Sequence, residues 1–207
     1  MSDIRTVEAN SRKVEARRIL KNELPECLRS TKSAFDQQKA FWDLGMKAVL
    51  QWGRQGGPQG IILQGGVGRG KSELLGLMLF CLADLFGKTA LYINEREVAL
   101  ELRESYKDNA DARSEWQLIS LARERDVIAW DDAGGAGNEN VAMHVKELLR
   151  GLIDVGSANP KLFIMAANLD DAGLARLLQD DREASRRAPW LRIVVPNTVP
   201  DFRKVRK

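Results

Sequence analysis

The sequence predicts an α/β fold in which a parallel sheet of five strands is covered by helices on both faces. Three observations predict it. Short apolar runs at Ile61–Gln64, Thr89–Ile93, Asp126–Trp130, Leu162–Met165 and Arg192–Val195 read as strands. Helical segments alternate with them at Lys71–Phe86, Arg96–Tyr106, Ser114–Arg123, Val141–Val155 and Ala172–Gln179. The strand runs are apolar without a polar residue at every second position, as in strands buried on both sides.

Ahead of the first strand, residues 1–30 read as a charged helix whose sparse apolar positions are Val7, Val14, Ile19 and Leu20, with Pro25 interrupting it. A second helix follows at Asp36–Trp52, where Ala40, Phe41, Leu44, Ala48, Val49 and Trp52 recur at helical spacing, and Gly53–Gly60 breaks it. The expected organisation is a basic helical extension over 1–34 and one α/β domain over 35–207. Trp42, Trp52, Trp116 and Trp130 are expected to pack, and His144, the lone histidine, carries no assigned chemistry.

Composition narrows the function classes. Apolar residues make up 44% of the 207 residues and charged residues 29%, ordinary for a globular domain. The longest strongly apolar stretch, Leu74–Phe86, is 13 residues and contains Asp84, too short for a membrane span of about 20. Met1–Asn10 lacks the apolar core of a secretory signal. The two cysteines, Cys27 and Cys81, fit reduced thiols rather than a disulfide or metal framework. The expected setting is cytoplasmic.

The net charge of +3 is unevenly spread. Residues 1–54 carry 11 Lys and Arg against 7 Asp and Glu; residues 182–207 carry 8 against 2; the segment between has 13 against 20. Basic ends around an acidic centre fit contact with a polyanion such as DNA. They fit equally the docking of one subunit's basic edge on another's acidic face, or plain solubility.

The segment Gly65-Gly66-Val67-Gly68-Arg69-Gly70-Lys71-Ser72 matches G-x-x-x-x-G-K-[ST], the P-loop, without a mismatch. Such a match arises by accident in a chain of this length on the order of 1% of the time. Here it also follows a strand and opens an apolar helix. The glycines let the backbone wrap the phosphates of ATP, and the helix start adds positive potential. Lys71 would pair with the β- and γ-phosphates, and the Ser72 hydroxyl would take one position on Mg²⁺.

Val127-Ile128-Ala129-Trp130-Asp131-Asp132 is an apolar strand ending in two carboxylates. Asp131 would hold Mg²⁺ through water, and Asp132 would orient and polarise the water that attacks the γ-phosphate. Asn168 ends the fourth strand, placed to bond the γ-phosphate or that water; Asn94, ending the second, either steers Asp132 or begins a turn. Arg182, Arg186 and Arg187 cluster before the last strand, and one of them, acting on a neighbour's nucleotide, would be an arginine finger.

Taken in order, these motifs resemble the AAA+ ATPases of the DnaC/DnaI helicase-loader and IstB transposition-helper group, over roughly Phe35 to Arg203. The resemblance rests on the helix before the P-loop, GGVGRGKS, VIAWDD, the strand ending in Asn168, Ser185-Arg186-Arg187, and a closing segment with Asp201-Phe202-Arg203. It implies an ATP-dependent homo-oligomer with single-stranded DNA along its inner surface and a partner that is a replicative helicase or a transposase. It matches Arg186 to the finger and turns the helix after the second strand, with Arg96, Arg103 and Lys107, toward DNA. The second acid is Asp132 where a longer carboxylate is usual, and no helical lid follows the last strand. A nucleotide-gated scaffold with little hydrolysis and a small-molecule P-loop kinase are the competing classes.

Overall fold

The computed structural model of the chain describes residues 2–28, 39–56, 59–105, 112–134, 144–145, 147–153, 161–177, 190–196 and 199. Five strands, β1 (Gly60–Gln64), β2 (Ala90–Asn94), β3 (Val127–Ala133), β4 (Leu162–Ala167) and β5 (Leu191–Val194), form one sheet in the order β2-β3-β4-β1-β5. Every neighbouring pair is parallel. Parallel neighbours need crossover connections, and the helical segments of the sequence supply them.

Side chains alternate across the strands and divide the core in two. Ile61, Leu63, Tyr92, Ala129, Ile164 and Ala166 face one side, packed with α1 (Ser2–Glu23), α2 (Lys39–Gln55) and α3 (Lys71–Phe86). Ile62, Leu91, Ile93, Ile128, Trp130, Phe163 and Met165 face the other. There they meet α4 (Glu95–Ser105), α5 (Glu115–Glu124), the helical residues 144–145 and 147–153 (α6) and α7 (Asp171–Leu177). Burial of each such aliphatic side chain contributes about 1.5–3 kcal/mol.

The N-terminal helix shares this core. It stops at Glu23, just before Pro25, and a 3₁₀ turn follows at Glu26–Leu28. Ala16, Leu20, Leu24 and Leu28 lie at fourfold spacing and are buried with α3 and the sheet. Val7 and Val14, read from the sequence as its apolar positions, are instead exposed, because the stripe that meets α3 is the Ala16–Leu20–Leu24 one. Trp42, Trp52 and Trp130 pack as expected. Trp116 does not: α5 buries only Leu118 and Ala122, leaving the indole 66% exposed beneath the Arg123 guanidinium. Leu44 on α2 is exposed as well.

The second helix, expected to break at Gly53, runs through it to Gln55, because Gly53 lets the Phe86 ring pack close to the backbone; α5 starts at its expected signal. Ser114 Oγ accepts from Gln117 N–H while Gln117 Oε1 accepts from Ser114 N–H, a reciprocal cap that starts α5. The expected strand Asp126–Trp130 begins one residue later and runs on through both aspartates to Ala133. No helix among the described residues is long and apolar enough to cross a membrane.

Candidate nucleotide site

β1 lies between β4 and β5, and its last residue, Gln64, delivers the chain into the glycine loop. Gly68 and Gly70 adopt left-handed φ values of 74° and 75°, which a side-chain-bearing residue takes only under strain, so the loop turns tightly onto the first turn of α3. Lys71, buried, reaches back across the loop and donates from Nζ to the Gly66 carbonyl at 2.7 Å. Arg69 ties the loop to the chain after β5 by donating to the Pro196 carbonyl at 2.7 Å.

The first acid is held by three donors. Asp131 Oδ1 accepts from Ser72 Oγ at 2.9 Å and from the Asp132 N–H at 2.9 Å, while Oδ2 accepts from the Tyr92 hydroxyl at 2.8 Å. Burial pushes the Asp131 carboxyl above the usual range, and the bonds from Tyr92, Ser72 and Asp132 pull against it. Burial and the neighbouring Asp131 push the Tyr92 phenol up in turn, so it stays a donor.

In a regular strand, adjacent Asp131 and Asp132 would point to opposite faces. A bulge interrupts that alternation. Trp130 pairs with Met165 and Ala133 with Ala167, so β3 spends one more residue than β4 over the same span. Asp132 absorbs the extra residue at φ 57°, the one non-glycine positive φ among the described residues. Its carboxylate accepts from the Asn168 side-chain amide and pairs with Arg96 Nε at 2.9 Å. The strand order explains Asn168: β4 stands between β1 and β3, so its end falls between the glycine loop and the acids.

Sequence expectations for the neighbouring residues are partly redirected. Asn94 caps α4, its Oδ1 accepting from the Arg96 N–H at 3.0 Å and from the Glu97 N–H at 3.4 Å. Arg96, on the helix expected to face DNA, pairs with Asp132 and stays 68% exposed. Arg182, Arg186, Arg187, Lys107 and the segment 201–203 fall outside the described residues.

Several residues of the site were not singled out from sequence. Tyr92 is one, the sole hydroxyl in a strand that is aliphatic up to its last residue, Asn94. Glu95, buried, accepts on Oε2 from Trp130 Nε1 at 3.0 Å and from the Gly134 N–H at 2.9 Å. Gln64 Nε2 donates to the Leu169 carbonyl and to Asp171, both at 3.0 Å, and Arg192 donates to Gln64 and Asp171. That network joins the ends of β1, β4 and β5.

The donors suit magnesium with a phosphate ligand. Ser72 and Asp131 offer hard oxygens, and among the described residues no cluster of three or more His, Cys, Asp or Glu could hold a metal unaided. Mg²⁺ keeps few protein ligands and completes its shell with water and substrate phosphates, as this pair requires. A separate cavity of about 440 Å³, lined by Arg12, Glu15, Lys88 and Asp126 among others, opens at the opposite end of the strands. Ligands of open α/β sheets bind instead at the carboxyl ends, where the loop and acids meet.

By sequence, neither a family model nor a curated protein matches the chain. Its structure matches solved ones. It aligns with the crystal structure of DnaI at a TM-score of 0.60 and 20% identity, covering 84% of this chain and 93% of that one. With the DnaC helicase loader the TM-score is 0.59 at 15% identity, over 79% of this chain and 95% of that one. The replication initiator DnaA, bound to AMPPCP and single-stranded DNA, aligns at 0.57 and 17%, covering 87% of this chain. This chain spans 50% of that DnaA chain. At these identities the likeness establishes architecture alone: the chain shares the parallel α/β fold of the DnaI, DnaC and DnaA structures.

Proposed function

We propose that the chain binds ATP with Mg²⁺ at Gly65–Ser72 and hydrolyses it, and that copies of it assemble on single-stranded DNA to load or remodel a replication partner, a replicative helicase in the first instance. One observation carries the reading: Asp131 accepts from Ser72, which follows the buried Lys71 on α3, and at the bulge in β3 Asp132 accepts from Asn168. That is the equipment of phosphoryl transfer to water.

The roles follow from placement. Lys71, held on the loop carbonyl, is the cation for the β- and γ-phosphates. Ser72 and Asp131 would hold Mg²⁺, which supplies neutralisation of charge on the phosphate oxygens. Asp132, oriented by Asn168, takes the proton of the attacking water once Arg96 releases it. Arg186 of an adjoining copy would complete the site. The paired acids favour water over a small-molecule acceptor, which argues against a kinase. The basic ends of the chain, and the single-stranded DNA in the DnaA structure of the same fold, support the DNA element.

Phosphate release with and without a single-stranded oligonucleotide tests the reading, together with molar mass in ATP. Wild type should turn over, oligomerise with ATP and respond to the oligonucleotide, whereas Lys71→Ala should lose ATP binding and Asp132→Asn should bind but not hydrolyse. Mixing Arg186→Ala with Lys71→Ala should restore part of the turnover. An Asp132→Asn variant as fast as wild type ends the hydrolytic reading. Capture of a transposase in place of a helicase would reassign the partner.

A further inference from the structure

We propose that Glu95 is a positioning residue that holds the bulge of β3, and through it the Asp132 carboxylate, in the hydrolytic geometry. The inference rests on the proposed hydrolysis and adds to it a residue outside the loop and the acidic pair. Its argument begins with strain. A non-glycine residue held at positive φ costs about 1–3 kcal/mol and persists only when its surroundings over-determine it. Asp132 is such a residue, at φ 57°.

Alternation shows what would happen without that restraint. Trp130 faces the α4 side of the sheet, Asp131 turns to the α3 side to meet Ser72, and Ala133 is back on the α4 side. A regular strand would put Ala133 on the α3 side instead. The bulge holds the extra residue with the Asp132 carboxylate on Asn168 and Arg96 while Asp131 stays on Ser72.

Glu95 clasps both ends of that irregularity. One oxygen, Oε2, takes the Trp130 indole N–H from before it and the Gly134 amide N–H from after it. Both donors would have to separate for the strand to straighten. Trp130 is fully buried and Glu95 is 2% exposed, so no solvent can stand in for the carboxylate there. Glu95 itself is fixed by the strand it follows: Asn94 is in register with Asp131, and α4 starts at Glu95. A side chain at Gly134 would be strained at φ 84° and would push the Leu169 side chain, 2.7 Å from an added Cβ, aside.

The test compares Glu95→Ala with Glu95→Gln, which keeps an acceptor oxygen in the same place. Glu95→Ala should lower kcat by about 10- to 100-fold, as a displacement near 1 Å at a reacting group does. Its affinity for a fluorescent ATP analogue should stay within about threefold, because the glycine loop does not touch Glu95. Glu95→Gln should stay within about threefold of wild type in both. The Trp130 indole N–H resonance, assigned by its loss in Trp130→Phe, should move upfield in Glu95→Ala and little in Glu95→Gln. Should Glu95→Ala not fold, Trp130→Phe carries the same expectation, a several-fold loss of kcat at unchanged affinity. Parallel loss of affinity and turnover, a Glu95→Gln variant as impaired as Glu95→Ala, or an unmoved indole resonance would each overturn the assignment. A wild type without turnover sinks the hydrolytic reading and this inference with it. A wild type that turns over while Glu95→Ala keeps full kcat sinks this inference alone.

Discussion

Replacing Tyr92 by Phe removes one oxygen from the core and with it a donor to Asp131. Tyr92 is 4% exposed, and its hydroxyl meets Asp131 Oδ2 at 2.8 Å. A hydrogen bond to a charged group is worth about 1.5–3 kcal/mol net, and the ring of Phe refills the rest of the space. For a chain of this size each kcal/mol moves Tm by about 2–4 °C, so the nucleotide-free variant should melt about 3–12 °C below wild type. Scanning calorimetry or denaturant titration measures it. A double-mutant cycle with Asp131→Asn isolates the pair and should return a coupling of about 1 kcal/mol or more, as for side chains in direct contact. A Tm within a degree of wild type, or a coupling near zero, would refute the reasoning that Asp131 depends on this phenol.

Three further outcomes follow from the same geometry. Burial raises the Asp131 carboxyl in the folded chain, so its contribution to nucleotide-free stability is full below the ordinary carboxylate range and is lost as pH rises through the raised value. Asp131→Asn, which keeps an acceptor for Ser72, should therefore raise Tm at neutral pH and flatten its decline from about pH 4 upward; a variant less stable than wild type at neutral pH contradicts this. Arg96→Ala should leave stability nearly unchanged, since Arg96 is 68% exposed, and should raise basal hydrolysis by at most about fivefold, the equivalent of the roughly 1 kcal/mol that such a pair is worth. Slower basal turnover would show that the arginine serves the reaction rather than withholding Asp132. Leu20→Ala should cost about 2–5 kcal/mol in denaturant unfolding because Leu20 is fully buried against the core that α3 shares, whereas a loss under 1 kcal/mol would make α1 an appendage.

Local chemistry made much of this molecule legible. The helix Lys71–Phe86 is found with the bounds its apolar run and flanking glycines imply, and all five strands lie within three residues of the expected ends. The P-loop is legible because its function needs backbone freedom at Gly68 and Gly70, which only glycine supplies, together with one cation and one hydroxyl in a set order. The two aspartates stand out because acids at the end of an apolar strand are costly without a partner. Trp116 misleads for a related reason: periodicity assigns a face but not the width of the surface that face will meet.

Other features have no sequence signal because they join residues far apart in the chain. That Tyr92 serves Asp131, that Glu95 clasps Trp130 and Gly134, and that Arg96 holds Asp132 all depend on β2 lying beside β3 in one register. Asn168 reaches Asp132 because β4 is inserted between β1 and β3, an order that no run of apolar residues specifies. The sequence by itself determined where the glycine loop and the paired acids lie and which segments would be strand or helix. Only the tertiary structure decided that two neighbouring aspartates meet Ser72 on one helix and Asn168 just past another strand. Side chains of a regular strand alternate, and it takes a bulge, held by packing and bonds from other strands and helices, to set that alternation aside.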